Sequence, residues 1–139
     1  MSLWVLDTDH ISLFLKGHPL VSKRVDETKP EEIATTIVTA EEQMRGWLNA
    51  IRRTSNSEQL VWAYQGLSGA VEYFTKTKLL DFDLAAYNCY QELIKQRIRI
   101  GSQDLRIASV VLAVEGILVT RNRRDFERVP DLVIEDWTI

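Results

Sequence analysis

The sequence predicts an α/β fold, with a mostly parallel central sheet covered by helices on both faces. Short apolar and β-branched runs recur along the chain, each suited to a buried strand. Between them, apolar residues repeat at the spacing of one helix face. Strands separated in this way by helical segments are joined by right-handed crossovers, which makes neighbours parallel and covers both faces. The 139 residues contain no internal repeat, low-complexity tract or Pro/Gly-rich linker, so a single domain spanning 1–139 is expected.

In chain order, Leu3–Leu6 is an apolar run ending at Asp7 and reads as the first strand. Ile33–Ile37, β-branched and Thr-rich, reads as the second. From Ala40, the series Ala40, Met44, Trp47 and Ile51 marks one helix face. Thr54-Ser55-Asn56-Ser57 is a polar turn, and Leu60, Tyr64, Leu67, Val71 and Phe74 mark the next helix. Gly66 and Gly69 each weaken that helix by about 1 kcal/mol relative to Ala, so packing must compensate. Lys78–Leu80 suits a third strand, and Asp83 is a natural N-cap for a helix turning Tyr87, Tyr90, Ile94 and Ile98 inward. Gly101-Ser102 breaks the chain before a helix that buries Leu105, Ala108 and Leu112. Ile117–Thr120 and Leu132–Ile134 complete the strands, with a helical turn around Arg123–Glu127.

Composition narrows the class. With 45% hydrophobic and 27% charged residues, the chain is expected to be ordered and soluble. The single cysteine, Cys89, excludes an intramolecular disulfide and a Cys-rich zinc site, and it suits a reducing cytoplasm. No apolar run approaches the roughly 20 residues of a spanning helix. The first residues meet Asp7 too early for a signal peptide, so a cytoplasmic protein without a membrane anchor is expected. The net charge of −3 opposes bulk attraction to nucleic acid but permits a local basic surface beside an acidic pocket.

The informative residues are acids at element starts. Asp7 closes the first strand, Glu42 lies early in the helix after the second, Asp104 opens the helix after Gly101, and Asp125 follows the fourth strand. In open parallel sheets, ligands bind outside the carboxyl ends of the strands. Four acids delivered there could converge on one pocket, and they would need a cation to remain ionised together. Each also has a local explanation. Thr39-x-x-Glu42 is a capping box, Asn122-x-x-Asp125 permits a similar cap, and Asp104 would complement a helix dipole. Asp7 resists such an account, because an unpaired carboxylate at a buried strand end costs several kcal/mol.

Oxygen-only ligands favour Mg²⁺ or Mn²⁺ over zinc. Carboxylate-held Mg²⁺ keeps waters, one of which can serve as nucleophile, and the ion offsets phosphate charge, so hydrolysis of a phosphate ester fits. Arg121, Arg123, Arg124 and Arg128 cluster near Asp125, while Arg97 and Arg99 precede Asp104. Singly these suit a solvated face. Together they could hold a polyanionic backbone, since phosphate contacts position nucleic acid without reading sequence.

Three segments resemble the PIN-domain ribonucleases, and the VapC-type toxins of bacterial toxin–antitoxin pairs in particular. They are Leu6-Asp7-Thr8-Asp9-His10-Ile11-Ser12; Thr39-Ala40-Glu41-Glu42-Gln43-Met44-Arg45-Gly46; and the pair Asp104-Leu105-Arg106-Ile107-Ala108 and Val119-Thr120-Arg121-Asn122-Arg123-Arg124-Asp125-Phe126. The resemblance spans essentially the whole chain in order. It implies a three-layer α/β/α sandwich, with Asp7 and Asp104 as central metal ligands and Glu42 and Asp125 as direct or water-mediated ones. Thr120 would support the pocket, and Asp9 and Asn122 would stand around the acids. Glu41 is a rival to Glu42, but the Thr and Gly spacing favours Glu42. The implied activity is a Mg²⁺- or Mn²⁺-dependent endoribonuclease that leaves 5′-phosphate and 3′-hydroxyl ends on structured RNA, commonly tRNA or ribosomal RNA. A small antitoxin and a second copy of the chain are the implied partners.

Two other readings stand beside it. One is a non-catalytic PIN-like binding module, which the presence of all four acids argues against. The other is a Mg²⁺-dependent phosphatase, because Asp7-Thr8-Asp9 resembles the Asp-x-Asp start of haloacid-dehalogenase-type enzymes; Ile11 stands where those have Thr or Val. Among the remaining residues, His10 is expected on a helix surface, Cys89 as a packing residue, the four tryptophans in packing, and Asp131, Glu135 and Asp136 as solvated acids.

Overall fold

The structure, a computed structural model, describes residues 3–139; Met1 and Ser2, which begin the expected domain, lie outside them. The chain runs β1 (Trp4–Leu6), α1 (Thr8–Leu15), α2 (Pro19–Glu27), β2 (Ile33–Thr36), α3 (Ile37–Arg52), α4 (Ser57–Lys76), β3 (Lys78–Leu80), α5 (Leu84–Lys95), α6 (Ser102–Ala113), β4 (Ile117–Val119), α7 (Arg123–Phe126) and β5 (Val133–Glu135), with a 3₁₀ turn at Pro30–Glu32. The strands lie in the order β3-β2-β1-β4-β5, and every pairing is parallel. The chain therefore builds one side of β1, then crosses to the other. The split between β1 and β4 creates a crevice at their carboxyl ends.

Alternation along the strands feeds a separate core on each face. Val5 and Leu118 enter a core with Ala86 and Leu93 of α5, and with Leu105, Ala108 and Val111 of α6. Leu6 and Val119 point to the opposite core, with Ile11 of α1, Val21 of α2, Ala40 of α3, Phe74 of α4 and the fully buried Trp137. This is the three-layer sandwich.

Two helices, α1 and α2, go beyond the elements that the sequence predicts. α1 is capped by Asp7, whose side chain accepts from the His10 backbone, and α2 is capped by His18 with Pro19 in its first turn. Both are short and carry few buried residues, so their apolar periodicity is faint. Other differences are of register. Ile37 opens α3 instead of ending β2, because Thr36 turns the chain by accepting the Thr39 N–H at 2.9 Å.

On α4 and α5 the buried stripe lies beside the one expected. Phe74 is buried and Tyr90 and Ile98 pack against the core as expected, but Tyr64, Val71, Tyr87 and Ile94 are exposed and Ala63, Ala70, Ala86 and Leu93 are buried in their stead. Close helix approach explains this on α4, since a Cβ built on Gly66 would stand 2.2 Å from the Trp47 ring. Trp47 in turn packs edge-on against the exposed Trp62, with centroids 5.2 Å apart.

Three polar residues also sit otherwise than expected. His10 is fully buried, not on a helix surface. Glu135 is paired with Arg24 and accepts the Trp137 Nε1–H at 2.9 Å, and Asp136 accepts from Thr138, so neither is simply solvated.

Candidate active site

Asp7 leaves β1 at the crevice. Its backbone N–H donates to the Val119 carbonyl at 3.1 Å, which extends the β1–β4 ladder to the site. Beside it, the Thr35 hydroxyl donates to the Leu6 carbonyl at 2.9 Å, fixing the strand end from the β2 side. The Asp7 carboxylate is buried, and Oδ1 accepts from the His10 backbone at 2.9 Å. Among the described residues, Oδ2 takes no hydrogen bond.

Glu42 lies in the second turn of α3, so it does not complete a capping box; Thr36 is the N-cap. Instead Glu42 Oε1 accepts the Thr8 hydroxyl across 34 residues of sequence at 2.8 Å. One residue on, Gln43 Nε2 donates to the Ser12 hydroxyl at 2.9 Å, so α1 and α3 are tied beside the acid. Glu41 is engaged by Arg45 and by Gln103, and Glu42 is the acid that acts on Asp104.

Asp104 sits in the first turn of α6, whose N-cap Gly101 offers no side chain. Burial first, then the negative charge of Glu42, Asp125, Asp7 and Asp9, pushes its carboxyl up to about 6. That pattern is not what a residue serving only a helix dipole shows, because the dipole favours the ionised form. The structure thus gathers residues from α1, α3, α6 and α7 within Coulombic reach of one another. They are not all within ligation distance of a single point. Among the described residues, no three His, Cys, Asp or Glu side chains stand as a group able to hold one ion.

On Asp125 the capping account holds in part. Asn122 caps α7, accepting the Asp125 N–H, and its amide donates to Asp125 Oδ2 at 3.1 Å. Thr120, fully buried, accepts the Asn122 N–H at 3.0 Å and so fixes the loop that carries Asp125. Asp9 is exposed and lies 3.7 Å from Arg121. Arg123 lies 3.6 Å from Glu127, and Arg124 is exposed on the same short helix. Thr8 holds Glu42 from 34 residues away, which no local pattern signals, while His10, three residues from Asp7, is expected on a helix surface and is instead turned onto that acid by its burial.

No family model matches the chain. A curated relative, Ribonuclease VapC1 of Haemophilus influenzae, is 27% identical over 139 residues, covering 98% of each chain. The tRNA(fMet)-specific endonuclease VapC of Salmonella typhimurium is 35% identical over 69 residues, which is 47% of this chain and 52% of that one. Among solved structures, VapBC-1 from nontypeable Haemophilus influenzae matches with a TM-score of 0.78 at 25% identity, covering 99% of both chains. The DNA-bound VapBC of Salmonella typhimurium matches in fold, with a TM-score of 0.79 at 24% identity and 99% coverage of both.

Proposed function

We propose that this chain, a relative of the VapC ribonucleases along its full length and built on their fold, is itself a ribonuclease of that type. It is the toxin of a toxin–antitoxin pair, and it hydrolyses phosphodiester bonds in structured RNA with Mg²⁺ or Mn²⁺ in the cytoplasm. The observation that carries the reading is the gathering of Asp7, Glu42 and Asp125 around the half-buried Asp104 at the carboxyl ends of the strands, where burial and their charge raise its carboxyl. Like charge is concentrated at the edge where parallel sheets bind ligands, a signature of function more than of stability.

The donor set fits a hard divalent ion. All four candidates offer carboxylate oxygens, and Mg²⁺ is commonly held by only one or two carboxylates while keeping its waters, which suits acids that are near but not jointly in ligation distance. Asp7 and Asp104 would hold the ion, with Glu42 and Asp125 reaching it directly or through water. When bound, the ion acidifies water and offsets charge on the scissile phosphate. Thr8 orients Glu42, Asn122 orients Asp125, and Arg121, Arg123 and Arg124 offer guanidinium groups to a phosphate backbone. Exposed Val61, Trp62 and Tyr64 on α4 leave apolar surface of the kind that partner proteins cover, in keeping with an antitoxin and a second copy as partners.

The test is cleavage of total bacterial RNA, tRNA and ribosomal RNA included, by the purified chain with Mg²⁺ or Mn²⁺, with cut ends mapped by sequencing. Discrete cuts are expected, lost in EDTA and abolished by Asp7→Asn or Asp104→Asn while thermal melting shows both variants folded. Undiminished cutting by both variants would sink the assigned site. Phosphate release from a phosphomonoester without RNA cleavage would restore the phosphatase reading, and absence of acid-dependent Mn²⁺ uptake would favour the binding module.

A further inference from the structure

His10 is a buried ring wedged between a candidate ligand and the segment that follows β5. Its Nδ1 lies 3.2 Å from Asp7 Oδ1, and its Nε2 accepts the Trp137 backbone N–H at 3.2 Å. An imidazole nitrogen that accepts from an N–H carries no proton, so the ring proton sits on Nδ1 and is donated to Asp7. Asp136 Oδ1, at 3.7 Å, lies beyond hydrogen-bond reach of Nε2 and accepts from the Thr138 N–H and hydroxyl, so the hydrogen bond at Nε2 is the one from Trp137.

The far end of this link is rigid. Trp137 is fully buried, its Nε1 donates to Glu135, Trp4 packs against it at 5.8 Å, and the Arg24 guanidinium lies 5.1 Å from its ring centroid. The near end is the carboxylate oxygen that also caps α1. With both hydrogen bonds on Oδ1, Oδ2 is the oxygen left for an ion.

We propose that His10 is a positioning residue for the metal site: held by the Trp137 backbone, it locks the Asp7 carboxylate in the orientation that presents Oδ2. The inference rests on Asp7 being a metal ligand. Groups that hydrogen-bond a ligating carboxylate from behind are typically worth 10–100-fold in metal affinity. Two substitutions separate the ends of the link. His10→Asn keeps a donor at the Nδ1 position and loses the Trp137 acceptor, whereas His10→Gln keeps an acceptor at the Nε2 position and loses the donor to Asp7.

The experiment is calorimetric titration of the full chain with Mn²⁺ alone, for wild type, Asp7→Asn, His10→Asn and His10→Gln, with thermal melting beside it. The expected result is Mn²⁺ binding weakened about 10-fold or more in His10→Gln, which loses the bond to Asp7, and weakened by a smaller factor in His10→Asn, which keeps that bond but loses its anchor. Equal affinity in His10→Gln and wild type overturns the inference while leaving the site intact, provided Asp7→Asn abolishes binding. Failure of wild type to bind Mn²⁺, or undiminished binding by Asp7→Asn, overturns the site reading and the inference with it. A second measurement needs no substitution: long-range proton–nitrogen NMR of wild type is expected to show His10 as the Nδ1–H tautomer, and an Nε2–H tautomer would refute the role.

Discussion

At Asp104, burial and the charges of Glu42, Asp125, Asp7 and Asp9 oppose ionisation and hold the carboxyl at about 6, against an ordinary value of 3.8. The linkage has a definite sign. A pKa raised on folding adds stability that is full below about 3.8 and is lost as pH rises through about 6. In metal-free protein, Asp104→Asn removes this penalty, so the variant gains stability over wild type at pH 8, by about 1–2 kcal/mol after allowance for the solvent-facing part of the side chain. At pH 5 the gain shrinks. Urea unfolding in EDTA at both pH values measures it, and a gain equal at both, or absent at pH 8, contradicts the electrostatic account. The acids themselves are legible in the sequence because each closes a strand or opens a helix. Of the groups that hold them, Asn122 is legible as a cap three residues before Asp125, whereas Thr8 and the Trp137 link of His10 are not. Thr8 meets Glu42 across 34 residues and His10 meets Trp137 across 127, and no local pattern reports a pairing set by the packing of whole layers.

Between α3 and α4, the contact is set by what is missing from a side chain. A Cβ on Gly66 would meet the Trp47 ring at 2.2 Å, while one on Gly69 meets nothing within 4 Å. Gly66→Ala is therefore expected to destabilise the protein by about 1–3 kcal/mol through overpacking. Gly69→Ala, in the same helix, is expected to stabilise it by about 0.4–1 kcal/mol by restricting the unfolded chain. Thermal unfolding of the pair decides the matter, and equal stabilisation by both substitutions would show that helix propensity, not the Trp47 contact, governs this segment. The same contact explains why the buried face of α4 departs from the one its apolar period predicts, apart from Phe74. Leu60, Tyr64, Leu67 and Val71 keep a helical period, yet the close approach at Gly66 turns Ala63 and Ala70 inward and leaves Tyr64 and Val71 outside. Period reveals that a helix exists; the side it buries depends on how near its neighbour comes. All five strands were legible, because parallel strands buried on both faces are short continuous apolar runs. α1 and α2 were not, since an Asp cap and a His-Pro cap precede segments with only His10, Ile11 and Val21 buried.

Across the molecule, the strand order places β1 at the centre, so acids from positions 7, 42, 104 and 125 meet only when every layer is assembled. Their repulsion is thus a property of the folded state and absent from the extended chain. A divalent ion that binds the assembled cluster must then bind the folded form in preference, and its binding free energy adds to stability. At about 100 times its dissociation constant, Mn²⁺ would add roughly 2.7 kcal/mol. For a chain of this length that corresponds to a rise of about 5–10 °C in melting temperature. The rise should vanish in Asp7→Asn and in Asp104→Asn, although the latter starts from a higher melting temperature without metal at pH 8. Sodium chloride at matched ionic strength separates site binding from screening. Screening relaxes exposed charges over about 8–10 Å and acts on all variants alike, whereas a bound ion requires the acids. A melting temperature raised equally by Mn²⁺ in wild type and both variants would mean that the assembled edge attracts cations only diffusely, and that the four acids meet without forming a site.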